Sequence, residues 1–217
     1  MQDMERGGDR SARRNRRFRV VIVGHSYVRR LGAYMLSTPG RRNFGLPHVR
    51  VIPAGAGGAT LQTRPRWRQR RGQWRRQWCM ADLLSDVEAY HPDLIFLHIG
   101  ENDLRGMCED DIVYHIIRTA NQLSGYCTFQ TVIVGQLIPF PVFSRAQHDS
   151  VFAINRALRQ FLEPTPHTFW SHRAGFTQTS PELFLHDQVH LSDDGMHRYW
   201  GSVCAVVGRV LRQHRSS

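Results

Sequence analysis

Phe18-Arg-Val-Val-Ile-Val-Gly-His-Ser-Tyr27 is a short, mostly β-branched run closed by a glycine and a small polar turn. An apolar run without alternation marks a strand covered on both faces, which is the habit of parallel sheets. Immediately after it the period changes. From Tyr27 to Leu36 the apolar residues Val28, Leu31 and Met35 recur at helical spacing. Strand, polar turn and helix in that order open an α/β fold.

Moving outward from this unit, the same alternation repeats. Val49 to Ala54 reads as a second strand. Met80 to Tyr90 is helical, with Leu83, Leu84 and Val87 apolar, and it stops before His91-Pro92. Leu94 to Ile99 is a third strand. Asp110 to Leu123 is a helix with acids in its first turn and Ile112, Ile116 and Leu123 along one side. Thr131 to Leu137 is a fourth strand, ended by Pro139 and Pro141, and Ser150 to Leu162 is the next helix. A weaker strand lies near His167 to Trp170, and a last helix runs from an N-cap at Ser192 towards Arg212. Strands alternating with helices imply right-handed crossovers and a mostly parallel sheet of about five strands between two helical layers. Ligands of such folds bind beyond the carboxyl ends of the strands, so the polar turns there carry the functional reading.

Composition limits the classes open to the chain. Its 217 residues suffice for one sizeable core. No apolar run approaches a membrane span, and Val20 to Val23 is too short for a signal-peptide core. The cysteines Cys79, Cys108, Cys127 and Cys204 have neither CxxC nor disulfide-framework spacing. Together these predict a soluble, intracellular protein of a reducing compartment. All 29 basic residues are arginine, a global bias that codon usage explains, but their distribution is local. Residues 1–20 hold seven arginines against three acids, and residues 64–78 hold seven against none. These two segments account for the whole formal net charge of +11. The expected organisation is a basic arm at 1–17, then one domain at 18–217 carrying an Arg/Trp-rich insertion at 64–78.

Four polar islands fall at strand ends or just before the last helix: Gly24-His-Ser-Tyr27, Gly55-Ala-Gly-Gly58, Gly100-Glu-Asn-Asp103 and Asp187-Gln-Val-His190. Each alone is weak. A serine at a strand end is commonly a helix cap. The glycine run could be an ordinary turn, and no GK[ST] follows it to make a phosphate loop. Asn102 and Asp103 could cap a helix, and Asp187 with His190 could be a surface pair. In combination and order, they resemble the four blocks of the SGNH (GDSL-like) hydrolases over about residues 18–212. That resemblance implies the flavodoxin-like α/β/α fold of the family and esterase activity towards small acyl groups, without a cofactor. It makes Ser26 the nucleophile, Asp187 and His190 the rest of a triad, and Ser26, Gly58 and Asn102 the oxyanion donors. The chemistry of these residue types agrees. A serine hydroxyl needs an imidazole to take its proton, and the imidazole needs a carboxylate to fix its tautomer. The oxyanion needs donors already in place, and glycine lets backbone approach closely.

Two features depart from the family pattern. His25 stands where the family usually has an aspartate; it reads as a packed or hydrogen-bonded histidine, with a second imidazole at the site as the competing reading. Glu101 falls at a permissive position, and the remaining histidines, His98 and His186 included, show no ligand spacing, so no metal is expected. The second departure is Arg64 to Trp78. Here Arg66, Trp67, Arg70, Arg71, Trp74, Arg75 and Arg76 are candidates for binding RNA or single-stranded DNA, through phosphate contacts and base stacking. A solvated helix with its tryptophans packed on the body, or a surface for anionic lipid or another acidic partner, remains open. The first block, Gly24 to Leu31, also looks like that of SGNH-like esterase domains in the first open reading frames of some animal retroelements. A catalytically weak or inactive module that binds nucleic acid is the alternative to an esterase.

Overall fold

The computed structural model describes residues 17–62, 66–70, 73–172, 176 and 180–216, with only the course of the chain given for 66–70, 73–75 and 215–216. Nearly all of the expected basic arm thus lies outside the described residues.

Five strands, β1 (Phe18–Gly24), β2 (Val49–Gly55), β5 (Leu94–His98), β6 (Val132–Gly135) and β7 (Thr168–Trp170), form one sheet in the order β2-β1-β5-β6-β7, with every pairing parallel. Between β2 and β5 a separate antiparallel ribbon, β3 (Arg66–Arg70) and β4 (Gln73–Gln77), interrupts the alternation. Without the ribbon, the sheet has the 2-1-3-4-5 order of doubly wound folds, whose switch point lies between the first strand and the one that crosses over to its other side. Here that point is the crevice between β1 and β5. The helices are α1 (Ser26–Leu36), α2 (Met80–Ala89), α3 (Glu109–Ser124), α4 (Arg145–Leu162) and α5 (Asp193–Ser216).

Burial follows from the sequence pattern. Val20 to Val23 are fully buried, as are Leu94 to Phe96, because helices cover both faces of the central strands. The helices turn stripes towards the sheet: Val28, Leu31 and Met35 from α1, Ile112, Ile116 and Leu123 from α3, Val151, Ile154, Leu158 and Leu162 from α4. Where the first strand meets α1, the chain comes so close to β5 that a Cβ on Gly24 would lie 2.0 Å from the His98 carbonyl oxygen. No larger residue fits there, and the approach sets the end of β1 directly beside the end of β5.

Of the readings left open for Arg64 to Trp78, the solvated helix is ruled out for the described part, which is a two-stranded ribbon with Trp67 opposite Arg76 and Arg68 opposite Arg75. No helix among the described residues is long and apolar enough to cross a membrane.

Candidate active site

Ser26 is the first residue of α1, directly after β1, and is only 7% exposed. Its neighbour His25 caps that helix, accepting the Tyr27 N–H at Nδ1 over 3.4 Å. Among the described residues the N–H of Ser26 makes no hydrogen bond, as expected for the first turn of a helix, where backbone donors have no partner within the helix. The N–H of Gly58 is likewise without a protein acceptor there.

Gly58 lies in the loop after β2 with φ of +72°, a conformation that costs other residues but not glycine. Two consecutive residues beyond β5 fasten this loop. Asn102 Nδ2 donates to the Ala59 carbonyl at 2.9 Å, and the Asp103 carboxylate accepts the Leu61 N–H at 3.1 Å. An amide nitrogen has two hydrogens, so Asn102 keeps one for another acceptor. On the far side, Gln77 at the end of β4 donates to the Gly58 carbonyl at 3.0 Å, and Thr60 N donates to the Trp78 carbonyl. The Arg/Trp ribbon is therefore rooted on the Gly58 loop.

Asp187 and His190 come together. His190 Nδ1 donates to Asp187 Oδ2 at 2.6 Å, while Asp187 Oδ1 accepts the N–H groups of Val189 and His190. Desolvation pushes the Asp187 carboxyl up, but the bonds from the His190 ring and from the backbone outweigh it and hold the group well below the usual carboxylate range. This loop is tied to the serine by Tyr27, whose hydroxyl donates to the Val189 carbonyl at 3.0 Å. Sequence reasoning missed Tyr27, since the contact spans 162 residues. Ser26 Oγ and His190 share no hydrogen bond among the described residues. The partner of Ser26 Oγ is His25 Nδ1, at 3.4 Å. A cavity of about 340 Å³ beside the ends of β6 and β7, lined by Gln136, Phe152, Arg156 and Phe169 among others, includes none of the four islands. Candidate chemistry therefore rests on the islands rather than on that cavity.

Beneath Ser26 lies a buried cluster that the sequence did not reveal. Glu101 is 1% exposed and takes His25 Nε2 at 2.9 Å, His98 Nε2 at 2.7 Å and the Ile138 N–H at 3.0 Å. His98 Nδ1 lies 2.7 Å from the Tyr199 hydroxyl. Burial would raise the Glu101 carboxyl, yet the two imidazoles beside it keep it well below its ordinary value; burial itself lowers His98. The position read as permissive is thus a structural anchor, and His25 is hydrogen-bonded. His25, His98 and Glu101 also bring ligand atoms within 4.8 Å of one another, a convergence not visible as spacing along the chain. Two imidazoles and a carboxylate are a donor set suited to zinc. Here each of the facing ring nitrogens is already spent on the carboxylate.

Of the ribbon candidates, Arg66, Trp67 and Arg70 fall in β3 and Trp74, Arg75 and Arg76 in β4, while Arg71 lies outside the described residues. Arg76 is engaged within the protein, paired with Asp82 and placed over the Trp78 ring.

Comparison with known proteins gives one coherent result. The model of the GDSL-like lipase/acylhydrolase family matches residues 7–198. No curated protein is significantly similar in sequence. Among solved structures, a Bacteroides fragilis protein assigned as an acylhydrolase superposes with a TM-score of 0.63 at 15% identity, covering 96% of this chain and 97% of that one. The acetylxylan esterase Axe2 of Geobacillus stearothermophilus gives 0.61 at 16% identity, covering 89% and 95%. A GDSL-like lipase of Bacteroides thetaiotaomicron gives 0.60 at 15%, covering 88% of each chain. At these identities the structural likeness speaks to the fold.

Proposed function

The chain belongs to the GDSL-like lipase/acylhydrolase family, and from that premise we propose that it hydrolyses an O-acyl ester through an acyl-enzyme formed on Ser26. The observation that carries this reading is the Asp187–His190 pair, bonded at 2.6 Å and moored through Tyr27 to the helix that begins with Ser26. Because Asp187 holds the proton on Nδ1, the lone pair of His190 is on Nε2, the nitrogen a serine proton needs. Active-site hydrogen bonds are often loose without substrate, and acyl transfer requires only that Ser26 Oγ and His190 close on each other once the ester is bound. Attack on the acyl carbon then leaves negative charge on the carbonyl oxygen. The N–H groups of Ser26 and Gly58 and the second amide hydrogen of Asn102 are the donors we assign to it. Water repeats the sequence to release the acid. His190 and Asp187 have side chains 30% and 49% exposed, so water has a route to the base.

The test is hydrolysis of p-nitrophenyl acetate by wild type, Ser26→Ala and His190→Ala. Each variant should lose ~10³-fold or more in kcat. Turnover by folded Ser26→Ala equal to wild type would assign the activity elsewhere.

A second reading concerns the ribbon, and the observation favouring it is the register that sets Arg68 directly opposite Arg75. That register places two of the segment's seven arginines at paired positions with no acid between residues 64 and 78, a concentration of positive charge that a polyanion would neutralise. We propose that RNA or single-stranded DNA binds along residues 64–78, rooted beside the esterase site. Binding should weaken steeply with salt and survive Ser26→Ala. Absence of binding to either nucleic acid at low salt rejects it.

A further inference from the structure

His25 occupies a position that the proposed mechanism leaves idle, although its ring touches the reacting atom. It is fully buried, and its surroundings fix its protonation pattern. A carboxylate has no hydrogen to give, so at the 2.9 Å contact with Glu101 the imidazole must be the donor, and Nε2 carries the hydrogen. The same logic holds on the other arm of Glu101, where His98 donates from Nε2 and accepts the Tyr199 hydroxyl at Nδ1. His25 Nδ1 therefore presents its lone pair, and two hydrogens lie before it: the Tyr27 N–H and the Ser26 hydroxyl, each with its heavy atom 3.4 Å away. The other groups facing the ring are the Tyr27 ring at 4.8 Å and the His98 ring at 5.3 Å. Carboxylate, imidazole and serine thus stand in the sequence Glu101, His25, Ser26, the same order of parts as Asp187, His190, Ser26.

We propose that His25 is a second base for Ser26, oriented by Glu101 and able to take the serine proton when His190 is absent. The inference rests on Ser26 being the nucleophile. In the step, the Ser26 Oγ–H bond breaks and its proton forms a bond to the His25 Nδ1 lone pair, which gives up the long Tyr27 N–H contact. The oxygen bonds the acyl carbon, and the carbonyl π pair moves to oxygen. The oxygen pair then re-forms the carbonyl as the leaving group departs with its own electron pair, and the Nδ1 proton goes to it as the conjugate acid. With a fluorophosphonate, the new bond is Ser26 Oγ–P, the P–F bond breaks, and the products balance as the phosphonylated serine and HF. Glu101 is a positioning residue, since it acts on Ser26 only through the ring.

Three substitutions separate the base from the scaffold. His25→Asn keeps an oxygen that can cap Tyr27 N. His25→Gln keeps an amide that can reach Glu101. Glu101→Gln retains an oxygen for His98 and Ile138 but turns an NH₂ towards His25 Nε2, which moves the ring hydrogen to Nδ1 and removes the lone pair facing Ser26. Rates of fluorophosphonate labelling would be measured for wild type, Ser26→Ala, His190→Ala and the three double variants built on His190→Ala. His190→Ala should label at Ser26 ~10²-fold faster than every double variant, the low end of general-base effects given the long contact. Equal rates in His190→Ala and the doubles, or no labelling of His190→Ala, overturn the inference. Should the doubles fail to fold, the pH profile of His190→Ala decides. A rate that levels off above an acid limb supports a base in the protein, and one rising tenfold per pH unit throughout, as attack with hydroxide does, overturns it. Wild type that does not label, or labels equally in Ser26→Ala, defeats the esterase reading of Ser26 itself, a distinguishable failure.

Discussion

Tyr27→Phe removes one oxygen and with it the tie between the helix of Ser26 and the loop of His190. The Tyr27 ring is fully buried, so its packing against His25, Phe140 and Tyr199 survives the change, and the lost term is the 3.0 Å bond to the Val189 carbonyl. A neutral bond of this kind contributes about 1 kcal/mol net, and leaving its partner without a donor brings the cost to about 1–3 kcal/mol. For a chain of this size each kcal/mol moves Tm by roughly 2–4 °C, so the variant should melt several degrees lower. Activity should fall further than stability suggests. Misplacing a catalytic group by about 1 Å can cost ~10²-fold, and a loosened loop displaces His190 rather than the substrate site. The expected result is thus kcat on p-nitrophenyl acetate down ~10- to 10²-fold with KM nearly unchanged. Wild-type kcat in a variant that melts lower would show that the bond holds the fold but does not align His190. That outcome would refute the reasoning.

Other changes probe other parts of the site. Asn102→Ala should reduce kcat ~10²-fold as one lost oxyanion donor, measured with the same ester. Gly58→Ala meets no atom within 4 Å of the new Cβ, so its cost is conformational only. Held at φ of +72°, it should lose about 1–2 kcal/mol in a denaturant melt and lower kcat as the loop shifts. The buried imidazoles predict a pH effect on stability. Burial depresses His98 and His172, so both stay neutral in the fold while the unfolded chain takes up protons below about pH 6.5. Their contribution is fully present above that pH and is lost as pH falls below it, by up to ~1.4 kcal/mol per pH unit for each group. Tm should therefore drop between pH 7 and pH 5, and less steeply in His172→Phe; a flat profile would contradict the assignment.

What could be read along the chain was whatever depends on near neighbours. The run Val20 to Val23 and the helical spacing of Val28, Leu31 and Met35 are local, and the structure has that strand and that helix within a residue or two. Asp187 and His190 share one loop, and their pairing was what the resemblance of the fourth block implied, with a spacing that allows it. For the Arg64 to Trp78 segment the composition leaves a solvated helix open beside a binding surface, because its arginines and tryptophans carry no apolar period that decides between helix and strand. The signal for a ribbon was the Arg71-Gly72 pair, a glycine-containing break between two short polar runs that each carry one tryptophan. The Glu101 cluster and the Tyr27 tie were out of reach for a different reason. His25 meets Glu101 across 76 residues only because the crossover sets Gly24 beside His98, and nothing in either block alone states that register.

The central claim is that Ser26 is the nucleophile. Brief exposure of the protein to a fluorophosphonate, followed by proteolysis and mass mapping, tests it most directly. The account predicts one phosphonyl adduct, on Ser26, blocked by prior incubation with a hydrolysable ester and missing from Ser26→Ala. An adduct on another residue, or none on folded wild-type protein, would contradict it.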